Sequence, residues 1–279
     1  MLRVHLSKLL MFLSFSFCVI NPLYAASPYG ACSSSLSSQA YWRLVELSDP
    51  KGLESIQDAR ETIKTIAEVF AEAKDRRGIF SAMYLEITDA AVSVIDAGEF
   101  NDLQLASKLT IRFLQRYLEA LQANLLEERF EKENAVWQSY YSLADDCSVS
   151  GLRVLAAAVN AHLSFDLPYA VSEVSAPDSF RDDFVKFGDL LIKRKKASTD
   201  RLWDFYGIDA VDFFDGFFLG KAFDQVFGEG AASLLGFQVI RLEAWTQSRN
   251  LQNPVLRPVA AAAIKAAWGS RELVLSALK

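Results

Sequence analysis

The chain has 279 residues, 51% of them hydrophobic, and its formal net charge at pH 7 is −6. This length and composition are sufficient for one large hydrophobic core, so we predict a single domain. The excess of acidic residues argues against a nucleic-acid-binding protein, because a net negative surface repels the phosphate backbone.

Residues 1–25 have the three parts of an export signal. Arg3 and Lys8 provide positive charge, and a twelve-residue apolar run follows at 9–20. A membrane span takes roughly 20 helical residues, so this run favours a cleaved signal peptide over the alternative of an uncleaved anchor. We predict cleavage after Ala25, and therefore a periplasmic or secreted protein without an integral membrane span. The mature chain then has 27 basic and 35 acidic residues and a net charge of −8.

Two cysteines remain after cleavage, Cys32 in a Ser-rich segment at 26–40 and Cys147. An even number of cysteines in an oxidising compartment predicts a disulfide, and the alternative is two separate thiols. Closing so long a loop stabilises a fold by about 4–5 kcal/mol in the chain-entropy model. We expect the Ser-rich segment to be irregular and the helical domain to span 41–279.

The remaining sequence has the period of amphipathic helices, with apolar residues at spacings of three and four. The first predicted helix starts near Ile56 and ends by Gly78, and the second runs from about Phe80 to Gly98. Asn101 or Asp102 is the predicted N-cap of a third helix that carries apolar residues up to position 121.

A fourth predicted helix contains Trp137, and a fifth begins near Ser150, contains His162 and ends or kinks at Pro168. Further helices are expected near 178–206, 209–227, 231–250 and 255–278. No stretch shows the sustained period-two alternation of a strand. The sequence therefore predicts an all-α fold, a single-domain bundle of about eight or nine helices without significant sheet.

The segment 213–240 is rich in phenylalanine and is interrupted by charged residues, including Asp215 and Lys221. Ionisable groups at this density argue against a membrane span. Two alternatives remain, namely a Phe-rich core between close-packed helices and the wall of an apolar ligand pocket.

His162 is the only histidine outside the predicted leader, and Asp166 follows it four residues later. On a helix these two side chains share a face. One interpretation is a structural hydrogen-bonded pair that fixes the register of the helix. Another is general acid–base catalysis by His162, with Asp166 holding its tautomer. Such chemistry requires a nucleophile, and Ser164 lies on a different face.

A metal site is the third interpretation, with His162, Asp166 and Asp89 as candidate ligands of a divalent metal cofactor. A single histidine argues against zinc, whereas a carboxylate-rich site suits iron, manganese or calcium. Nearby on the third helix, Arg112 and Arg116 are candidates for an anion clamp or for pairing with surface acids.

The segment 160–167, Asn-Ala-His-Leu-Ser-Phe-Asp-Leu, resembles the Asn-Ala-His-Ile-x-x-Asp-Leu signature of a bacterial family called domain of unknown function 5995. Segments at 84–88, 99–102, 113–121, 136–137, 180–184 and 243–245 are similar to other conserved parts of that family, so the resemblance covers about 80–250. The chain departs from the family pattern at Leu163, at Glu119 and in its Phe-rich stretch.

The resemblance implies an all-α domain and no established activity. It places the catalytic candidates His162 and Asp166, and the ligand-binding candidates Asn160, Arg116, Tyr117 and Asp102, at the motif positions of the family. The leading hypothesis is an exported hydrolase, metal- or histidine-assisted, with a polar pocket around His162. The alternative is a non-catalytic protein that binds a small apolar molecule or lipid, or a partner, and in which His162 and Asp166 form a structural pair.

Overall fold

The computed structural model describes residues 36–127, 135–216 and 231–276, and within these ranges it contains helices and no strand. The all-α prediction is confirmed. The predicted leader, Cys32 and the phenylalanines from Phe217 to Phe227 lie outside the described residues. The signal peptide and the Cys32–Cys147 disulfide therefore stay predictions.

Eleven α-helices occur in the described ranges, somewhat more than the eight or nine predicted. They are α1 (Ser38–Leu47), α2 (Ile56–Glu72), α3 (Ile79–Asp96), α4 (Leu103–Leu125), α5 (Ala135–Asp145), α6 (Gly151–Glu173), α7 (Arg181–Lys193), α8 (Lys195–Tyr206), α9 (Val211–Gly216), α10 (Ala231–Gln252) and α11 (Arg257–Leu275). Short 3₁₀ turns precede α3 and α7.

Two helix boundaries differ from the prediction. Helix α1 begins at Ser38, inside the segment expected to be irregular, because the side chain of Ser37 accepts a hydrogen bond from the amide of Ala40 and caps the helix. The single helix expected over 178–206 is divided near Arg194 into α7 and α8. Each difference adds a helix to the count.

Helices α2 to α4 begin near their predicted positions. Ser55 and Asp58, which the sequence analysis did not single out, form a capping box at the start of α2. Gly98 adopts a left-handed conformation (φ 71°) just beyond α3. The side chain of Asp102 accepts a hydrogen bond from the amide of Leu105 and caps α4, as predicted.

Helix α6 carries the histidine motif and changes its winding in the middle. It is α-helical over Gly151–Asn160, π-helical over Ala161–Asp166 and α-helical again over Leu167–Glu173. Pro168 does not end the helix, so the first of the two expected outcomes, an end or a kink, is contradicted. In the π-helical segment each amide bonds a carbonyl five residues back, as Leu167 does with His162. The wide turn accommodates the proline that follows it.

The histidine motif lies at the centre of the hydrophobic core. The large, fully buried side chains around it come from α3, α4 and α5 and include Phe80, Tyr117 and Trp137. Two helical stretches, Arg76–Asp96 and Gly151–Glu173, are long and apolar enough to cross a membrane by length and composition. Both are mostly buried inside the fold, as is usual for core helices, so this is weak evidence for a span.

Gly78, at the start of α3, is packed too tightly to accept a side chain. A Cβ atom there would clash with Cβ of Phe70 and with the hydroxyl of Tyr206. We therefore expect Gly78→Ala to lower the free energy of unfolding by about 1–3 kcal/mol, the usual cost of overpacking. Urea unfolding measures this change. Gly52→Ala is the control because no atom lies within 4 Å of its added Cβ, and equal losses in the two variants would contradict the prediction.

Candidate functional site

The carboxylate of Asp166 is fully buried and joins three helices. Its Oδ2 atom accepts a hydrogen bond from Nε1 of Trp137 on α5 (2.9 Å) and lies 3.1 Å from Nδ1 of His162 on α6. Its Oδ1 atom lies 3.6 Å from Nε of Arg116 on α4, which is an ion-pair distance. A buried carboxylate requires such partners, because an uncompensated charge in the core is costly.

Arg116 extends this cluster toward the surface. Its side chain is 1% exposed, and its Nη1 donates a hydrogen bond to Glu173 at the end of α6 (2.9 Å). The guanidinium also lies over the ring of Tyr169, 5.0 Å from the ring centre. Arg112 donates hydrogen bonds to both Glu173 and Glu119 (2.6 Å each). The two arginines therefore pair with acids of the protein itself, as one of the two predictions for them stated.

Aromatic rings surround the imidazole of His162, which is 3% exposed. Phe113 stacks on it with ring centres 3.6 Å apart. Tyr84 and Phe80 contact it edge-on at 4.6 Å and 5.0 Å. The ring is thus fixed by packing on its faces and by Asp166 at Nδ1.

Burial decides the protonation of His162. Desolvation lowers the pKa of the imidazole, the hydrogen bond and charge of Asp166 act in the opposite direction, and the charge of Arg116 adds to the lowering. The neutral ring that faces Asp166 carries its proton on Nδ1. Its Nε2 atom then has an available lone pair, and it has no hydrogen-bond partner among the described residues.

The ring of His162 lines a cavity of about 70 Å³, which we call the His162 cavity. Its walls are mainly apolar side chains of α3, α4, α6, α9 and α10, among them Phe80, Met83, Phe113, Leu163, Phe214 and Phe237. Lys195 and Ser198 of α8 also line it. Phe213 and Phe214 thus line an apolar cavity, and they also lie in the hydrophobic core or pack against it, so the described part of the Phe-rich segment fits both alternatives.

Asn160 belongs to a different polar cluster, on the side of α6 that faces α11. Its Nδ2 donates hydrogen bonds to the carbonyl of Trp268 (3.1 Å) and to Glu272 (3.2 Å). Its Oδ1 accepts a hydrogen bond from Ser164 (2.9 Å), which in turn accepts one from Arg271 (3.0 Å). Asn160 therefore fastens α6 to α11, and Ser164 faces away from His162 as expected.

The structure does not assemble the predicted metal ligands. Asp89 bonds Arg60 and lies 3.5 Å from Arg194, so its carboxylate is neutralised by arginines. No group of three or more His, Cys, Asp or Glu side chains suited to a metal ion occurs in the described part of the chain. The donor set proposed from sequence therefore does not fit a metal at His162.

The remaining predicted site residues lie in two places. Tyr117 is fully buried and packs against Phe80 and Trp137, at ring-centre distances of 5.0 Å and 5.3 Å. It therefore contacts the residues that pack around His162 and Asp166. Asp102 is exposed and caps α4, with its amide bonded to Asp183 (2.8 Å). The structure therefore brings His162, Asp166, Arg116 and Tyr117 together. Asp102, Asp89 and Asn160 lie outside this cluster, and Asn160 bonds the backbone of a neighbouring helix.

Sequence reasoning missed three residues of the cluster. Trp137 provides the second hydrogen bond to Asp166, Phe113 stacks on the imidazole, and Glu173 pairs with both arginines. The signal for Glu173 was its position seven residues after Asp166, on the same face of one helix. Trp137 and Phe113 lie in segments that resemble the family, 136–137 and 113–121, but their periodicity indicates only core packing and gives neither a contact with Asp166 nor one with His162.

These features define a class of protein: an all-helical fold with a buried His–Asp pair, cross-linked to a tryptophan and an arginine, beside an apolar cavity. The chain belongs to the family of unknown function DUF5995, whose sequence profile matches residues 56–274. This confirms the family suggested by the histidine motif. No curated protein and no solved structure matches the sequence significantly.

Asp166→Asn tests the role of the buried carboxylate. The amide group keeps the shape, and an oxygen in the place of Oδ2 can still accept both hydrogen bonds. The amide nitrogen then replaces Oδ1 opposite Arg116, which loses one of its charged partners. We expect a loss of about 3–5 kcal/mol in the free energy of unfolding, the usual cost of breaking a buried pair. The control is Glu119→Gln, whose partly exposed pair with Arg112 contributes about 0–1 kcal/mol. Similar small losses in the two variants would show that Asp166 does not join the helices.

The lowered pKa of His162 predicts how stability depends on pH. The unfolded chain binds a proton at His162 below about pH 6.5, whereas the native ring resists it. The contribution of this group is therefore complete above pH 6.5 and is lost as the pH falls toward the native pKa. We expect the chain without residues 1–25 to lose about 1 kcal/mol more than its His162→Gln variant between pH 7.5 and pH 5.5, measured by urea unfolding. A larger loss of stability in the His162→Gln variant would mean that folding raises the pKa of His162, which would contradict the prediction.

Proposed function

We propose that this protein is exported and binds a small apolar molecule that donates one hydrogen bond to Nε2 of His162. A single observation carries the proposal. The neutral imidazole of His162 is held at Nδ1 by Asp166, its Nε2 has no hydrogen-bond partner among the described residues, and its ring lines an apolar cavity. Binding sites for small molecules commonly combine apolar walls with a few fixed polar groups.

The buried cluster supports recognition because it fixes the acceptor before the ligand arrives. Asp166 sets the tautomer of the imidazole, and Trp137 and Arg116 hold Asp166 in turn. Phe113 and Tyr84 prevent the ring from turning. A preorganised acceptor loses little entropy on binding, which favours a ligand with a hydroxyl over the corresponding hydrocarbon.

A hydrolase has less support than this binding function. Hydrolysis requires a nucleophile beside the base and donors for the developing oxyanion. Ser164 bonds Asn160 instead, and no hydrogen bond joins Ser198 to His162 in the described parts of the structure. The leading hypothesis from sequence also expected a polar pocket with further acids, whereas the walls of the His162 cavity are mainly hydrocarbon.

The test uses the mature chain, residues 26–279, in which His162 is the only histidine. Its imidazole nitrogens then give a single set of ¹⁵N resonances. We expect 4-ethylphenol to bind and to shift the Nε2 resonance, and ethylbenzene to bind about tenfold more weakly, the equivalent of one hydrogen bond. Titration calorimetry measures the two affinities.

Two variants localise the binding. Met83→Trp fills the His162 cavity without touching the His162–Asp166 pair, so it should abolish binding of 4-ethylphenol. Lys64→Trp adds the same side chain on the exposed face of α2 and should leave binding unchanged. If neither probe binds, or if the phenol binds with no shift at Nε2, the proposal is wrong and the pair has a structural role alone.

A further inference from the structure

A second cavity, of about 60 Å³, lies beside the first, and we call it the Arg241 cavity. The two cavities share the wall residues Tyr84, Ile87, Phe113 and Leu163. The remaining walls of the second cavity are mostly apolar side chains of α3, α4, α6 and α7. One cation, Arg241 of α10, also lines it.

Arg241 is 3% exposed and is held by groups that carry no charge. Its Nη1 and Nη2 atoms donate hydrogen bonds to the carbonyls of Val185 (3.2 Å) and Phe184 on α7. The guanidinium lies over the ring of Phe184, 4.4 Å from its centre, and 5.6 Å from that of Phe237. These contacts orient the side chain but do not neutralise it.

No carboxylate forms an ion pair with Arg241 in the described ranges. Arg116 and Arg153 are also deeply buried, and each faces a carboxylate, Asp166 and Glu272 respectively. Asp189 acts on Arg241 at longer range and is itself bonded to Gln238. Desolvation lowers the pKa of Arg241 to about 9, so the guanidinium is still charged at pH 7.

Gly188 of α7 makes room for this arrangement. A Cβ atom at position 188 would clash with Nη1 of Arg241. The absence of a side chain lets the guanidinium lie against the backbone of α7, where it reaches the two carbonyls. A buried cation that has no ion-pair partner among the described residues is costly for the fold, because a charge in the core is stabilised mainly by an opposite charge close to it.

We propose that the Arg241 cavity binds the carboxylate of an amphiphilic ligand, whose apolar chain lies along the wall shared with the His162 cavity. The guanidinium fork matches a carboxylate geometrically and supplies one positive charge, which balances one negative charge. A dianionic phosphate would leave a second charge buried. This inference goes beyond the proposed function, because it concerns a different cavity and does not require the hydrogen bond to His162.

The experiment compares octanoate with octanol, which have the same chain and differ in the charge of the head group. Titration calorimetry with the mature chain at pH 7.5 should show octanoate binding at least tenfold more tightly than octanol. Arg241→Met should remove this preference, and Arg241→Lys should restore part of it because the charge is kept. Arg249→Met, on the same helix, should leave the preference unchanged, since Arg249 pairs with the exposed Asp178.

Gly188→Ala keeps the positive charge of Arg241 but shifts the position of its guanidinium. The added methyl group displaces the guanidinium, so the preference for octanoate should fall while octanol binding stays the same. Near-ultraviolet circular dichroism verifies that each variant is folded. Equal affinities of the two probes for the unaltered protein, no binding of either, or a preference that survives both Arg241→Met and Gly188→Ala would each overturn the inference. Binding of 4-ethylphenol at His162 is independent of all three results.

Discussion

The buried carboxylate of Asp166 is the interaction on which the centre of this fold depends. It receives a tryptophan from α5, a histidine from its own helix and an arginine from α4. Without it, Trp137 Nε1 and His162 Nδ1 would lose the hydrogen bond that each makes in the core, and Arg116 would lose one of its two carboxylate partners. The carboxylate therefore determines how three helices approach one another, and also which nitrogen of the imidazole remains available.

A second polar cluster lies on the opposite side of α6 and has a different role. Asn160 and Ser164 connect there with Glu272 and Arg271 of α11. These side chains form hydrogen bonds with one another. The His162 side, by contrast, keeps one acceptor directed at hydrocarbon. A single helix thus separates a closed structural cluster from a face that is suited to recognition.

Local signals in the sequence were reliable where the structure is decided by neighbours along the chain. Asp102 marked a helix start because the side chain of a cap bonds an amide two or three residues away. The His162–Asp166 pair was foreseeable for the same reason. The bond between Trp137 and Asp166 spans 29 residues, and Arg241 bonds carbonyls 56 and 57 residues away. Such contacts depend on how helices pack, which periodicity does not specify. Asp89, expected near His162, therefore pairs with arginines instead.

The π-helical segment of α6 has one more consequence, which concerns the identity of residue 168. In ordinary α-helical winding, the ring of that proline would crowd the carbonyl of Ser164, four residues back. Tightening the segment to 3.6 residues per turn would therefore bring a steric clash that other residue types do not cause. Pro168 therefore favours the π-helical winding over the α-helical one. The winding at His162 depends on a proline ring that lies two residues beyond Asp166.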